Sequence, residues 1–274
     1  MGRGRGFAVM MMGGVLLAVY LFASAPPPLA EGSDSDAQRI SVQTVFEMCF
    51  AENAAARKLY TEHIVASGSN VGLKFDENWR EAGVEAGPLP ALFLRETARS
   101  LEKHDLHSRR LGLYLGSDFP VRPSNRFSGA AAEAFAQMRK DRSPRFFYMA
   151  DVKLHAAMFP DVASANACVE CHNRHADSPK RDWQLGDVMG AVTWTYPAAS
   201  VSVTEALDVL AALRAGIAAA YGGYLDKART FTHAPHIGEQ WPSNGYFLPT
   251  TSVFMTALEY RTSKATLDRF LASR

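Results

Sequence analysis

The chain contains two cysteines and a histidine, Cys168, Cys171 and His172, in the spacing Cys-x-x-Cys-His. This spacing is typical of the attachment site of a c-type haem, where two thiols one short turn apart add across the two vinyl groups of one porphyrin. The imidazole that follows then falls under the iron as its proximal axial ligand. The motif therefore predicts one covalent haem c, held by Cys168 and Cys171, with His172 on the iron.

Three other kinds of site use paired cysteines, and each fits this sequence less well. A zinc site would want a second Cys/His pair at a comparable spacing, whereas the remaining cysteine, Cys49, stands alone. A thioredoxin-like redox pair would start a helix after a strand and would have no need for His172. A disulfide across two intervening residues closes a very small loop and stabilises little.

The first 30 residues have the layout of an export signal. Arg3 and Arg5 precede the uncharged, mostly apolar run 7–23, and small residues with prolines follow in 24–30. We therefore expect residues 1–30 to be a signal peptide or an N-terminal membrane anchor, and both alternatives stay open. The protein is expected to be periplasmic, secreted or anchored, with membrane contact only through this segment.

Charge and composition predict how the chain after residue 30 is organised and which partners it lacks. The formal net charge is +1, which implies no general attraction to nucleic acid. The acidic, Gly/Ser-containing stretch 31–36 is expected to be a linker. Residues 37–200 are expected to form the haem domain, and residues 201–274 a helical extension.

A long N-terminal helix is predicted from Ala37 to Ala66, which contain no proline or glycine. Apolar residues recur there at helical spacing, with Cys49 on the stripe: Val42, Val45, Phe46, Cys49, Ala56, Tyr60 and Ile64. The residues alone leave two alternatives for Cys49, a small packing residue or an iron ligand. In an oxidising compartment an unpaired thiol needs shielding or ligation.

The rest of the chain predicts an α+β fold, an antiparallel sheet flanked by helices. Residues 145–152 are rich in aromatics and are predicted to form a central strand. Residues 188–196 are predicted as the last strand, with the haem motif in a loop before it and alternate residues on one face: Val188, Gly190, Val192, Trp194 and Tyr196. Residues 203–231 and 253–272 are predicted helices. The first of these is expected to pack on the haem domain; a coiled-coil homodimer is the alternative, although the repeat is too short to indicate one.

The run from Cys168 to Pro197 is more specific than the five-residue motif. Its pattern Cys-x-x-Cys-His-Asn-x-His-x-Asp-Ser-Pro-Lys-x-Asp-Trp-x-x-Gly-Asp-Val-x-Gly closely resembles the single-haem c-type sensor domains. Weaker matches precede it at 88–91, 117–120 and 147–148, so the resemblance covers residues 37–197. The resemblance implies a PAS-like fold, a domain found alone or fused to histidine kinases and nucleotide cyclases.

The resemblance also implies a distal iron ligand. The family's best-understood members bind iron between the motif histidine and a cysteine on the N-terminal helix, and Cys49 is the cysteine here that matches. A thiolate ligand favours ferric iron and lowers the reduction potential, which suits a redox or gas sensor. If Cys49 is not the ligand, His155, Met149 and Met158 are the alternatives.

Two classes of function follow from these expectations. The first is a haem sensor that converts iron redox state or a diatomic gas into a conformational signal for a signalling protein partner. The second is a low-molecular-weight periplasmic electron-transfer cytochrome with a redox partner. We do not predict an enzyme, because a peroxidase would need an open distal site with an acid/base residue that the sequence does not indicate.

Overall fold

The computed structural model describes residues 39–103 and 110–272 of the chain. The predicted leader (1–30), the linker (31–36) and the predicted helix start at Ala37 lie outside the described residues. Among the helices of the described ranges, none combines the length and the apolar character needed to cross a membrane.

Helices account for much of the described chain. A π-helical segment, Tyr60–Ala66, directly continues the first α-helix. Short 3₁₀ turns lie at Pro123–Asn125 and Pro242–Asn244. The α-helices are α1 (Val42–Leu59), α2 (Ser67–Asn70), α3 (Pro90–Leu101), α4 (Gly129–Asp141), α5 (Asn166–Arg174), α6 (Val203–Ala228) and α7 (Thr251–Ala272).

The strands form one main sheet and three short pairs. The strands are β1 (Arg39–Ser41), β2 (Phe75–Asp76), β3 (Gly87–Pro88), β4 (Gly112–Gly116), β5 (Arg145–Met149), β6 (Leu154–Val162), β7 (Val188–Tyr196), β8 (Ser200–Ser202), β9 (His236–Gly238) and β10 (Phe247–Pro249). The main sheet is antiparallel, in the order β4-β7-β6-β5. The pairs are β1 with β8, antiparallel, and β2 with β3 and β9 with β10, both parallel.

The main sheet separates two hydrophobic cores, because successive side chains of a strand point to opposite faces. On β6, Phe159 belongs to the larger core, which also contains buried residues of α1, α3, α6 and α7. Its neighbour Met158 belongs to the smaller core, which α4 covers through Phe135 and Met138. The α+β class predicted from the sequence is confirmed, with antiparallel strands flanked by helices.

The predicted N-terminal helix is confirmed over most of its length, with two differences. Residues 39–41 form a strand instead of helix, and Ser41 caps α1 by accepting a hydrogen bond from the backbone N–H of Thr44. Residues 60–66 are π-helical instead of α-helical. There the Tyr60 hydroxyl donates to the Pro88 carbonyl at 2.7 Å, and its ring stacks on Phe93.

The prediction of a central strand at residues 145–152 is wrong, because β5 ends at Met149 and lies at an edge of the sheet. The inner position belongs to β6, which the sequence pattern did not indicate. The prediction that alternate residues of β7 from Val188 to Tyr196 lie on one face of the sheet is only partly correct. A β-bulge shifts the register between Asp161 and Val162, so that Val188 packs in the smaller core while Val192 and Trp194 pack in the larger one.

Helix α6 lies against α1 and α3, within the larger core. Gly216 allows this close approach, because a Cβ at that position would lie 3.3 Å from the Thr97 carbonyl oxygen. The only charged side chain with no solvent exposure among the described residues, Glu52 of α1 (0 % exposed), accepts two hydrogen bonds from Arg214 of α6, at 2.7 and 3.2 Å. This bidentate pair fixes the relative position of the two helices.

We predict that Arg214→Ala lowers the free energy of unfolding by about 3 kcal/mol, because it deprives a buried carboxylate of its arginine. Denaturant unfolding measures this change. The matched control is Arg229→Ala, which removes an exposed pair with Asp226 and should cost less than about 1 kcal/mol. Equal effects of the two variants would contradict the role assigned to the buried pair.

Candidate haem site

Helix α5 carries all three residues of the Cys-x-x-Cys-His motif. Cys168, Cys171 and His172 stand at positions i, i+3 and i+4, so they share one side of the helix. Cys171 is exposed, and Cys168 and His172 are half-buried. Both thiols are free of disulfide bonds, and the helix ends where the His175 N–H donates to the Cys171 carbonyl at 2.9 Å. The motif is thus helical, where a loop was expected.

Charged side chains of α1 and β6 lie close enough to this helix to interact electrostatically with it. Arg57 of α1 donates to Asp161 of β6 at 2.6 Å, and both side chains are half-buried. Burial lowers the pKa of Arg57, but Asp161 and then the nearby Cys168 thiol raise it, and the net direction is upward. Asp161 in turn acts on His172. The first cysteine and the histidine of the motif therefore lie near the junction of α1 and β6.

The electrostatic surroundings suit His172 as a neutral ligand. Burial lowers the pKa of His172 below its ordinary value, Asp161 opposes this shift and His175 adds to it. A neutral imidazole keeps the nitrogen lone pair that a metal requires. The pKa of the Cys171 thiol is raised by burial and by the negative charges of Glu77 and Cys168.

A group of aromatic side chains, which we call the aromatic wall, lies on the same face of the sheet as Asp161. Phe159 stands two residues before Asp161, and a strand advances about 7 Å over two residues. Phe50 of α1 stacks on Phe159 with ring centroids 4.1 Å apart, and Phe146 meets Phe159 edge-on at 6.0 Å. Tyr148 extends the wall along β5 and contacts His155.

The aromatic wall is open to solvent on β5. Phe146 is 37 % exposed and Tyr148 is 50 % exposed, on an edge strand whose other face packs on the smaller core. Phe146 contacts Phe159 and Tyr148 contacts His155, and an exposed apolar patch of this kind is typical of a surface that a ligand covers. A porphyrin is a flat apolar ring that packs well on aromatic faces. The accessible thiols, the neutral imidazole and this wall together fit a covalently attached haem.

Cys49 is fully buried in the larger core on α1, one residue before Phe50 of the aromatic wall. Burial raises the pKa of its thiol far above the ordinary value, and the nearby Glu52 carboxylate adds to this. The described residues contain no cluster of three or more His, Cys, Asp or Glu side chains that could hold a metal ion. The structure therefore puts Cys49 on the helix that borders the site, without gathering it with the motif into a ligand cluster.

The three alternative ligands lie in different places. His155 shares the face of β6 that carries Phe159, because the two residues are four positions apart. Met158 is fully buried in the smaller core, on the opposite face. Met149 ends β5 and is half-buried. Of the three, His155 is the one that contacts the aromatic wall.

Sequence reasoning did not assign a role to Asn173, the residue after His172. Its amide donates to the Trp183 carbonyl at 3.0 Å, and its carbonyl accepts the Trp183 N–H at 2.8 Å. Nearby, the His175 ring is 3.3 Å from the Glu77 carboxylate, and the Trp183 ring meets Phe119 edge-on. These contacts hold the segment 175–187 against α5. The segment 175–187 lies within the run from Cys168 to Pro197 that resembles haem sensor domains. That resemblance was the sequence feature that could have indicated a role for Asn173.

Comparisons with known proteins agree with this part of the chain. A family model described as Tll0287-like matches residues 36–197, which span β1 to β7 and include the motif helix α5. No curated protein and no solved structure matches the chain. The family match supports a c-type cytochrome-like domain of the haem-sensor class.

We predict that Asn173→Ala lowers the free energy of unfolding by about 2 kcal/mol, because it removes both hydrogen bonds to the Trp183 backbone. Thermal or denaturant unfolding measures the change. Asn166→Ala is the matched control, since Asn166 is exposed at the start of the same helix. If the two variants unfold alike, the contact between Asn173 and Trp183 does not stabilise the site.

Proposed function

Because this chain belongs to the Tll0287-like family, we propose that it is an exported sensor that holds one covalent haem c and reports redox state or a diatomic gas to a signalling partner. The observation that carries the proposal is the motif Cys168, Cys171 and His172 on one helix, beside an exposed aromatic wall. The proposal is one of sensing because the family match supports the haem-sensor class.

Each residue of the motif has a distinct role in this proposal. Cys168 and Cys171 would hold the haem through thioether bonds, and His172 would be a ligand of its iron. When bound, the haem would supply a redox-active iron that could exchange a ligand. Phe146 and Tyr148 cover an apolar face and exclude water from it. The Arg57–Asp161 pair joins α1 to β6, the strand that precedes the motif helix.

Cys49 is proposed as the distal ligand. Its burial and the neighbouring Glu52 favour the neutral thiol, so the deprotonated form would require a nearby cation. Glu52 is itself paired with Arg214 of α6. A change in the charge or position of Cys49 would therefore act on a helix that is joined to α6. We propose that α1 and α6 carry the signal.

Attachment of haem c takes place after export, and this links the motif to the predicted leader. We propose that the mature protein works in the periplasm or its equivalent, either released or held by its N-terminal segment. The leader itself lies outside the described residues.

We predict one haem per chain in the exported fraction, resistant to acid–acetone extraction and lost in Cys168→Ala/Cys171→Ala. The reason is that thioether bonds survive solvents that remove a ligated haem. A pyridine haemochrome spectrum counts the haem, and fractionation locates it. Cys49→Ser is the matched control and should keep the covalent haem, because the motif is unchanged. Extractable haem would refute covalent attachment, and covalently bound haem in the double variant would refute attachment through Cys168 and Cys171.

We predict that Cys49→Ser changes the ferric spectrum towards an open or water-bound site and raises the midpoint potential, because a thiolate stabilises ferric iron. Visible spectra and potentiometry measure both. Ala56→Ser, which buries a hydroxyl on the same helix, is the matched control and should change neither. If Cys49→Ser has no effect on either property, Cys49 is a packing residue. A positive potential with His155 as ligand would then favour an electron-transfer cytochrome.

A further inference from the structure

A second concave site lies on the other side of the main sheet, away from the aromatic wall. It is a cavity of about 220 Å³ between the end of α4 and the segment that joins α5 to β7. Its lining has three positive charges and one negative charge: Arg139, Arg142, Lys180, Trp183, Asp187 and Val188. The motif and the aromatic wall contribute no residue to it.

Two of the three cations have partners, and the third has none. Arg139 donates to Asp118 at 3.1 Å and lies over the Phe119 ring. Lys180 donates to Asp182 and lies 4.6 Å above the centre of the Trp183 ring. The Arg142 side chain makes no hydrogen bond or ion pair with any described residue. Asp187 is engaged by the Gln184 N–H, which donates to it at 2.9 Å.

The backbone of Arg142 is a second, independent observation. It ends α4 in the left-handed conformation (φ 59°, ψ 18°), a position where glycine or asparagine is usual. A residue with a Cβ is strained there, and such strain is concentrated at functional sites. The fold alone would favour glycine at this position. The arginine side chain therefore points to a role that the fold does not require.

Besides the four charged side chains, an indole lines the cavity. Trp183 is 4 % exposed, and its Nε1–H is buried with no hydrogen-bond partner among the described residues. Buried donors are normally paired. Trp183 therefore lines the cavity with its ring, while its Nε1–H is enclosed by the protein.

We propose that this cavity binds a small oxyanion, of the chemical class of inorganic phosphate or a small carboxylate. Guanidinium groups bind such oxygens through paired, charge-assisted hydrogen bonds. The excess of positive charge on the lining selects an anion, and the size of the cavity limits it to a small one. Arg142 is the principal contact, because its charge is the one left without a partner.

Occupancy of the cavity is linked to the motif helix. Trp183 borders the cavity and is held through its backbone by Asn173, the residue after His172. An anion that fixes the segment 180–187 therefore acts on the residue next to the proposed iron ligand. This linkage rests on the proposed function, whereas anion binding does not.

Binding is tested by calorimetric titration of the full-length exported protein with inorganic phosphate, and in parallel with acetate, at constant ionic strength. We expect saturable binding of one anion per chain, weakened about tenfold or more in Arg142→Gln. Lys140→Gln is the matched control, because it removes a positive charge from the same helix end without touching the cavity. The control should bind within about twofold of the wild type.

A second variant separates function from folding. Arg142→Gly relieves the left-handed strain, so it should raise the melting temperature while it weakens phosphate binding as Arg142→Gln does. Absence of saturable binding to the wild-type protein overturns the proposal. Equal weakening in Lys140→Gln and Arg142→Gln also overturns it, since the cations would then only compensate the carboxyl end of α4.

The linkage to the motif has its own measurement. We expect saturating phosphate to shift the midpoint potential of the wild-type haem and to leave that of Arg142→Gln unchanged. Phosphate binding without any such shift supports the site and overturns the linkage. A chain that binds phosphate but carries no haem refutes the proposed function and leaves the anion site established.

Discussion

The ion pair between Arg57 and Asp161 joins two of the three elements on which the site depends. Arg57 comes from α1 and Asp161 from the inner strand β6, and the motif helix α5 begins four residues after β6 ends. Both side chains are only half-buried, so each keeps some hydration and the desolvation that accompanies deeply buried pairs is reduced. The pair fixes the register of α1 over the sheet, and with it the stacking of Phe50 on Phe159. Without that register, the aromatic wall would not form one continuous surface.

A second constraint acts on the other side of α1. Glu52 is fully buried and is held by Arg214, which ties α1 to α6 in the helical layer. Helix α1 is thus fixed to the sheet by one charge and to the helices by another, five residues apart. Charge-assisted hydrogen bonds have strict geometric requirements, and the close-packed apolar stripe of α1 also resists displacement. The two pairs and the apolar stripe therefore act together to define the position of α1.

The helices and strands that were predicted correctly are those whose periodicity is visible within a short stretch of sequence. The helical stripe of α1 and the alternation along β7 follow from periods of 3.6 and 2, and both elements are present. The sequence pattern did not indicate strand β6, because Pro160 interrupts its alternation. A proline is tolerated at this position, since β5 pairs with β6 only up to Met158. Strand order is a long-range property, so the aromatic residues of β5 suggested a central strand when they belong to an exposed edge.

The same distinction explains the site. The spacing of Cys168, Cys171 and His172 is local and could be read directly. The aromatic wall could not, because Phe50, Phe146 and Phe159 come from three elements and meet only when the sheet is formed. The Asn173–Trp183 contact and the left-handed Arg142 also depend on the folded chain. Residue type and spacing thus indicated the chemistry of the site. The residues that surround the motif could be identified only from the folded structure.

Two contacts of moderate strength lie near helix α5, one on each side of the sheet, and one of them involves the helix itself. On the α1 side the Arg57–Asp161 pair borders it, and on the α4 side Asn173 fixes it to Trp183. Each contact is partly exposed, so each contributes on the order of 1 kcal/mol, and charge-assisted ones up to about 3. Linkage between binding sites in proteins has a similar magnitude, typically about 1–3 kcal/mol. A ligand that displaces α5 could therefore break the Asn173–Trp183 contact and leave the Arg57–Asp161 pair intact. The sheet between the two faces is held by continuous ladders of hydrogen bonds and would not have to change.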